Sequence, residues 1–257
     1  METKVSSYLI VLLMMFMGFA LAVSALPQGP DLVNQTNSTR RLNNSDGVAV
    51  LAQAGNVSSV SIRAVSITQA WQGYYGNVTG VITLDDANNY TFYDWSSPNP
   101  NGEIYASNGT GVTWSRVYCM NVSQNGSTPL RPDGTVSNIN GSQIELLFGI
   151  NVTDFDGLNE TFNDSYVSAT GFRVGAITID TTDGCSMAHP YQNQLYNSVW
   201  QEVLLSDNTS IIFTSLIVQD TSNFQNSPSD FQMLVLENGH AGSEATTSTY
   251  FFYVELS

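Results

Sequence analysis

Short segments rich in Val, Ile, Tyr, Phe and Thr, separated by turn residues, run from Gly47 to the end of the chain. Such segments predict strands. They cover Gly47–Ala54, Val57–Thr68, Gly76–Leu84, Asn88–Trp95, Gly102–Ala106, Thr113–Cys119, Gln143–Phe148, Phe172–Asp180, Val199–Leu205, Ser210–Gln219, Phe231–Glu237 and Ser248–Leu256. Between them stand the pairs Asp46-Gly47, Asn101-Gly102, Asn108-Gly109, Asn125-Gly126, Asp133-Gly134, Asn140-Gly141, Asp156-Gly157, Asp183-Gly184 and Asn238-Gly239. These supply the positive-φ positions that hairpins need. No stretch of about 12 residues carries a helical stripe outside the N-terminal segment. The expected fold is therefore all-β: a β-sandwich over residues 47–257, immunoglobulin-like or jelly-roll-like, as one large sandwich or two fused ones.

The first 46 residues follow other patterns. Lys4 precedes an apolar run from Leu9 to Val23, and Val23-Ser24-Ala25 places small residues where a signal peptidase reads. Residues 1–25 are thus expected to be an export signal cleaved after Ala25. A run of about 15 residues is short for a spanning helix, so a retained N-terminal membrane anchor is the weaker alternative. Residues 26–46 lack apolar periodicity and predict a flexible stalk. The closing segment Tyr250–Ser257 alternates and holds neither an apolar 18-mer nor a basic tail.

Within strands, side-chain alternation makes specific predictions. Asn77 and Thr79 should face solvent while Val78, Ile82 and Leu84 face the core. Asn89, Thr91 and Tyr93 should share one face, with Tyr90 and Phe92 on the other.

Charge narrows the function classes. The chain of 257 residues has 22 acidic against 7 basic residues, a net charge of −15, yet only 11% of its residues are charged. That balance excludes a nucleic-acid binder, which needs a basic face. With 42% hydrophobic residues the chain can build a core, so something other than charge must hydrate its surface. Loss of the leader would remove the only lysine, Lys4. Schiff-base, P-loop and Lys-Asn cross-link chemistries are then excluded.

Asn-x-Ser/Thr sequons occur at Asn34, Asn37, Asn43, Asn56, Asn77, Asn89, Asn108, Asn121, Asn125, Asn140, Asn151, Asn159, Asn163 and Asn208. With 24 Asn in the chain and about a fifth of residues Ser or Thr, chance predicts roughly five such sites. Glycans on many of them would supply the missing hydration. The alternative is that Asn, Ser, Thr and Gly cluster as turn residues of a β-protein.

Two cysteines in an exported chain predict one disulfide, Cys119–Cys185. A Cys185 nucleophile with His189 is the sharper and weaker alternative. No Gly-x-Ser-x-Gly, HExxH or CxxC motif is present, and His189 and His240 read as polar surface residues. Acids cluster at Asp154, Asp156, Glu160 and Asp164, at Asp85 and Asp86, and at Asp180 and Asp183. Solvated turn acids are the default reading. A calcium loop over 154–164 is a minority reading, because Val152 stands where the first ligand of an EF-hand belongs. Trp71, Tyr74, Tyr75, Tyr93, Trp95 and Trp114 could form a sugar-stacking platform, although their alternation equally indicates core packing.

The segment Gln69-Ala-Trp71-Gln-Gly-Tyr-Tyr-Gly-Asn77-Val-Thr-Gly80, then Leu84–Asn89, Phe92–Trp95, Gly102–Tyr105 and the closing Tyr250–Leu256, resembles a group of archaeal secreted proteins. Ala54–Ser58 fits the same group. The resemblance covers the start and end of the expected sandwich, implies an archaeal cell-surface setting, and transfers no catalytic residue, cofactor or reaction. The reading that follows is a glycosylated, non-enzymatic cell-surface assembly protein, a component of a surface layer or filament. It would need no cofactor, and its partners would be copies of itself or neighbouring surface proteins. An extracellular glycan-binding or adhesion module is the alternative, and a secreted hydrolase the third. One device for assembly is addition of the Val48–Ala54 strand to a neighbouring subunit. The competing expectation pairs that strand within its own sheet.

Overall fold

The computed structural model describes residues 26–41, 47–95, 100–122, 140–166, 171–237 and 247–257. The expected leader 1–25, the sequons at Asn43 and Asn125, His240, and the turn pairs at 125–126, 133–134 and 238–239 lie outside those residues.

The strands, in chain order, are β1 (Trp71–Gly76), β2 (Thr83–Asp85), β3 (Thr91–Asp94), β4 (Gly102–Ser107), β5 (Tyr118–Cys119), β6 (Asp164–Ser165), β7 (Phe172–Val174) and β8 (Ile177–Ile179). They continue with β9 (Ser186–Ala188), β10 (Glu202–Ser206), β11 (Ile211–Leu216), β12 (Thr221–Ser222), β13 (Pro228–Ser229), β14 (Phe231–Leu236) and β15 (Phe251–Leu256). Two short α-helices, α1 (Gly141–Leu147) and α2 (Leu158–Thr161), interrupt them. The fold is all-β, as the strand pattern predicts.

Its centre is a seven-stranded antiparallel sheet in the order β15-β4-β11-β10-β9-β6, with β5 also paired to β10. In register, Ile104 lies between Val254 and Ser215, and Phe213 lies between Ala106 and Leu204. Every residue of β4 and β10 is buried, so this sheet is covered on both faces. That is why Val203–Leu205 and Ile211–Phe213 are continuous apolar runs, whereas a sheet wet on one side would alternate apolar with polar.

Alternate residues of these strands enter two cores. Ile104, Ala106, Leu204, Ile211 and Phe213 join Met233 and Val235 of β14, Ile144 of α1 and Leu158 of α2. Against them packs the antiparallel ribbon of β1 and β14. On the opposite face Tyr105, Val203, Leu205 and Ile212 join Phe172, Val174 and Ile179 of the β7/β8 hairpin, together with both cysteines. Phe213 anchors the first core, with ring contacts to Trp71, Phe162 and Tyr250.

Several expected strands differ. Residues 143–148 contribute to a helix because Asn140 caps it: its side chain accepts from the Gln143 N–H at 2.8 Å, and the Gln143 side chain accepts from the Asn140 N–H at 3.2 Å. This capping box satisfies two backbone donors at the helix start. The expected strand 172–180 is instead a hairpin, turned at Gly175 with φ of 57°. Residues 47–54 and 57–68 form no strand and pair with no sheet. One edge to which they might have added is already engaged: Gln28 pairs with Val254 of β15 through bonds of 3.0 and 2.8 Å. Asn77 and Thr79 are exposed and Val78 buried, as predicted. Ile82 and Leu84 are exposed, contrary to expectation, because β2 pairs only with β3 and that hairpin joins neither core.

Candidate functional site

Cys119 and Cys185 form the expected disulfide, with Cα atoms 4.9 Å apart and 66 residues between them in sequence. Both are buried, and the bond removes Cys185 as a nucleophile. His189 is not a surface residue: its side chain is 7% exposed. Its Nδ1 lies 2.9 Å from the Trp200 carbonyl. A carbonyl only accepts, so Nδ1 carries a hydrogen. Its Nε2 lies 3.6 Å from Asp164 Oδ2, which also receives the Tyr196 hydroxyl at 2.6 Å. The Tyr196 and His189 rings meet at nearly a right angle, 5.6 Å apart between centroids. A polar knot of His189, Asp164 and Tyr196 thus ties the 189–200 loop to β6.

Of the twelve sequon asparagines among the described residues, Asn34, Asn37, Asn56, Asn77, Asn89, Asn151 and Asn163 are exposed, and Asn108, Asn121, Asn140, Asn159 and Asn208 are half-buried. Three of the half-buried group hold the fold. Asn108 Oδ1 accepts from Ile211 N, Asn121 Nδ2 donates to the Gly184 carbonyl, and Asn140 caps α1. The exposed group leaves more room for a glycan on Nδ2.

The turn acids behave as turn acids. Asp86 accepts from the backbone N–H groups of Tyr90 and Asn88, which hold its carboxyl below the usual range. The Thr182 hydroxyl and N–H do the same for Asp180.

The acids that matter more lie in the sheet, where strand reading passed over them. Glu103 of β4 stands directly opposite Glu255 of β15, and both are buried. Directly opposed residues bring their Cβ atoms to about 5 Å, so two carboxyl groups share one small space. Burial, and then the neighbouring Glu255, push the Glu103 carboxyl up to about 8. Burial also raises Glu255, but the Gly175 N–H, the Tyr105 hydroxyl and Arg173 oppose the rise. Gly175 N reaches its two oxygens at 3.1 and 2.9 Å, and Tyr105 reaches Oε2 at 3.2 Å. The pair is built to keep one proton, held on Glu103, while Glu255 is the better anion. On the other face Glu202 is fully buried, accepts from Leu234 N at 2.8 Å, and is raised well above the carboxylate range by burial.

The aromatic residues divide. Trp71 packs on Phe162 and Phe213 and donates through Nε1 to the Asp156 carbonyl. Tyr74 packs on Phe252, and Trp114 on Tyr105 and Tyr253. These serve the cores. Tyr93 and Trp95 sit 4.7 Å apart between centroids and are exposed on β3 and just beyond it. Other apolar side chains are open too. Val48, Val50, Leu51, Val57, Val60, Ile62 and Val65 in the extended segment, and Tyr90 and Phe92 on the hairpin, all face solvent.

Among the described residues no helix is long and apolar enough to cross a membrane, and no three His, Cys, Asp or Glu side chains group to hold a metal. Comparison of the chain with family models, curated proteins and solved structures returns no match.

Proposed function

We propose that the protein is an exported, glycosylated cell-surface protein that assembles with copies of itself through residues 47–66. The observation that carries this reading is the state of that segment. It is extended, rich in Val and Ile, and exposed throughout. Among the described residues, its backbone bonding is one local turn, Asn56 N–H to the Gln53 carbonyl. A run of β-branched residues with open backbone groups is a strand awaiting a sheet. The disulfide accords with an oxidising compartment, and the exposed sequons with a hydrated outer surface. The archaeal setting rests on the sequence resemblance alone.

The test is deletion of residues 47–66 from the otherwise complete chain. None of these residues enters either core, so the fold should survive with an unchanged circular dichroism spectrum and melting temperature. Negative-stain microscopy and sedimentation should show arrays or oligomers with the parent and monomers with the deletion. Oligomers that persist after deletion would sink the reading.

The Tyr93–Trp95 pair favours a second reading, a glycan-stacking surface, since open aromatic faces bind sugar rings. Replacing Trp95 with Ala should then abolish glycan-array binding without altering assembly. Unchanged array signals would remove this alternative.

A further inference from the structure

Residues 154–164 do not follow the EF-hand order, because Val152 occupies the first ligand position, and the structure brings a carboxylate from elsewhere. Glu145 of α1 is fully buried. Its Oε1 accepts from the N–H groups of Leu158 at 2.7 Å and Asn159 at 3.3 Å, which ties it to the start of α2. Among the described residues its Oε2 is buried with no hydrogen-bond partner, and so is Oδ1 of Asn159.

Asn159 Oδ1 sits 2.7 Å from the point a Cβ of Gly141 would occupy, and Gly141 and Glu145 are four residues apart on one helical face. Around Gly157, Glu160 Oε2 and Glu145 Oε1 lie 2.6 and 2.7 Å from the position of an absent Cβ, and the Asp154 carbonyl lies 3.3 Å from it. A side chain at Gly157 would fill the space that the Glu145, Glu160 and Asp154 oxygens border. Glu160 is exposed and gives the cluster an opening to solvent.

Buried acceptors without a donor are costly, the more so when one is a carboxylate. A hard cation satisfies several such oxygens at once. We infer that Glu145, Asn159, Glu160 and the Asp154 carbonyl hold a calcium ion between α1 and the 154–160 loop. Glu145 stands in for the missing first ligand. The donors mix carboxylate, amide and main-chain oxygens in no regular array, which calcium tolerates and magnesium does not. Two carboxylates rather than three or four place the affinity in the range of extracellular calcium modules, on the order of 10⁻⁴–10⁻³ M.

The competing arrangement turns the Asn159 amide over, so that Nδ2 donates to Glu145 and no ion is needed. Calorimetric melting of the EDTA-stripped protein separates the two. At about 10 mM calcium the melting temperature should rise by roughly 3–8 °C, and magnesium at the same concentration should give much less. Glu145→Gln should abolish the rise while the metal-free protein melts at or above the parent. Its amide oxygen still accepts from Leu158, and its NH₂ can donate to Asn159 Oδ1. Glu160→Gln, on the open rim where folding is not at stake, should weaken calcium binding about tenfold by titration calorimetry. A parent protein with neither heat nor melting shift on calcium overturns the inference. So does a full response retained by Glu160→Gln together with a folded Glu145→Gln.

Discussion

Glu103 is a charged residue inside Gly102-Glu-Ile-Tyr105, and Glu255 one inside Tyr253-Val-Glu-Leu256. An acid in an otherwise apolar strand is a visible signal, but its partner is fixed only by the register that sets Glu103 opposite Glu255. The pH consequence follows from that register. In the folded chain Glu103 titrates at about 8, against an ordinary 4.5. The folded state therefore binds the proton more tightly than the unfolded one. The stability this contributes is fully present below pH 4.5 and is lost as pH rises through 8, and the upward shift of Glu255 has the same sign. Glu103→Gln mimics the neutral acid. At pH 9 it should melt several degrees above the parent, on the order of 5 °C, and near pH 4 the two should coincide. Melting curves displaced equally at both pH values would refute a shared-proton pair.

At the scale of elements, the long strands were legible where apolar runs met clear turn residues. Expected strands 102–106, 210–219, 231–237 and 248–256 correspond to β4, β11, β14 and β15. The helix over 141–147 is masked in the sequence because Asn140-Gly141 also signals a hairpin, and the feature that decides for the helix is Gln143 three residues after the cap. Short strands such as β6, β9, β12 and β13 carry two or three residues each, too few to show a period. One glycine has a role beyond the turn that Asn101-Gly102 signals. Gly102 has φ of 130°, and a Cβ there would lie 1.9 Å from the Glu255 carbonyl. Gly102→Ala should therefore push β15 away from β4 and cost about 2–4 kcal/mol in urea unfolding. A loss below about 0.5 kcal/mol would show that β15 does not need this close approach.

At the scale of the molecule, the two cores need each other through one sheet. β4, β10 and β11 bury residues on both faces, so their apolar content follows from the layers above and below them. The disulfide closes a loop of 66 residues against the second core, worth about 4 kcal/mol in the loop-entropy account. Residues 47–66 and the β2/β3 hairpin stand outside this economy. Their apolar side chains add nothing to either core, and the assembly reading assigns residues 47–66 their partner in another copy.

Composition and local pattern determined the all-β class, the disulfide, the solvent faces of Asn77 and Thr79, and the thin spread of acidic turns, because each of these depends on neighbours within a few residues or on a choice between two cysteines. Which apolar segments are buried, which acids face each other, and which glutamate leans on the 154–160 loop were decided by tertiary structure alone. Burial and carboxylate pairing are properties of contacts between residues such as Glu103 and Glu255, and Glu145 and Asn159, and only the packed sheet and helices bring those residues together.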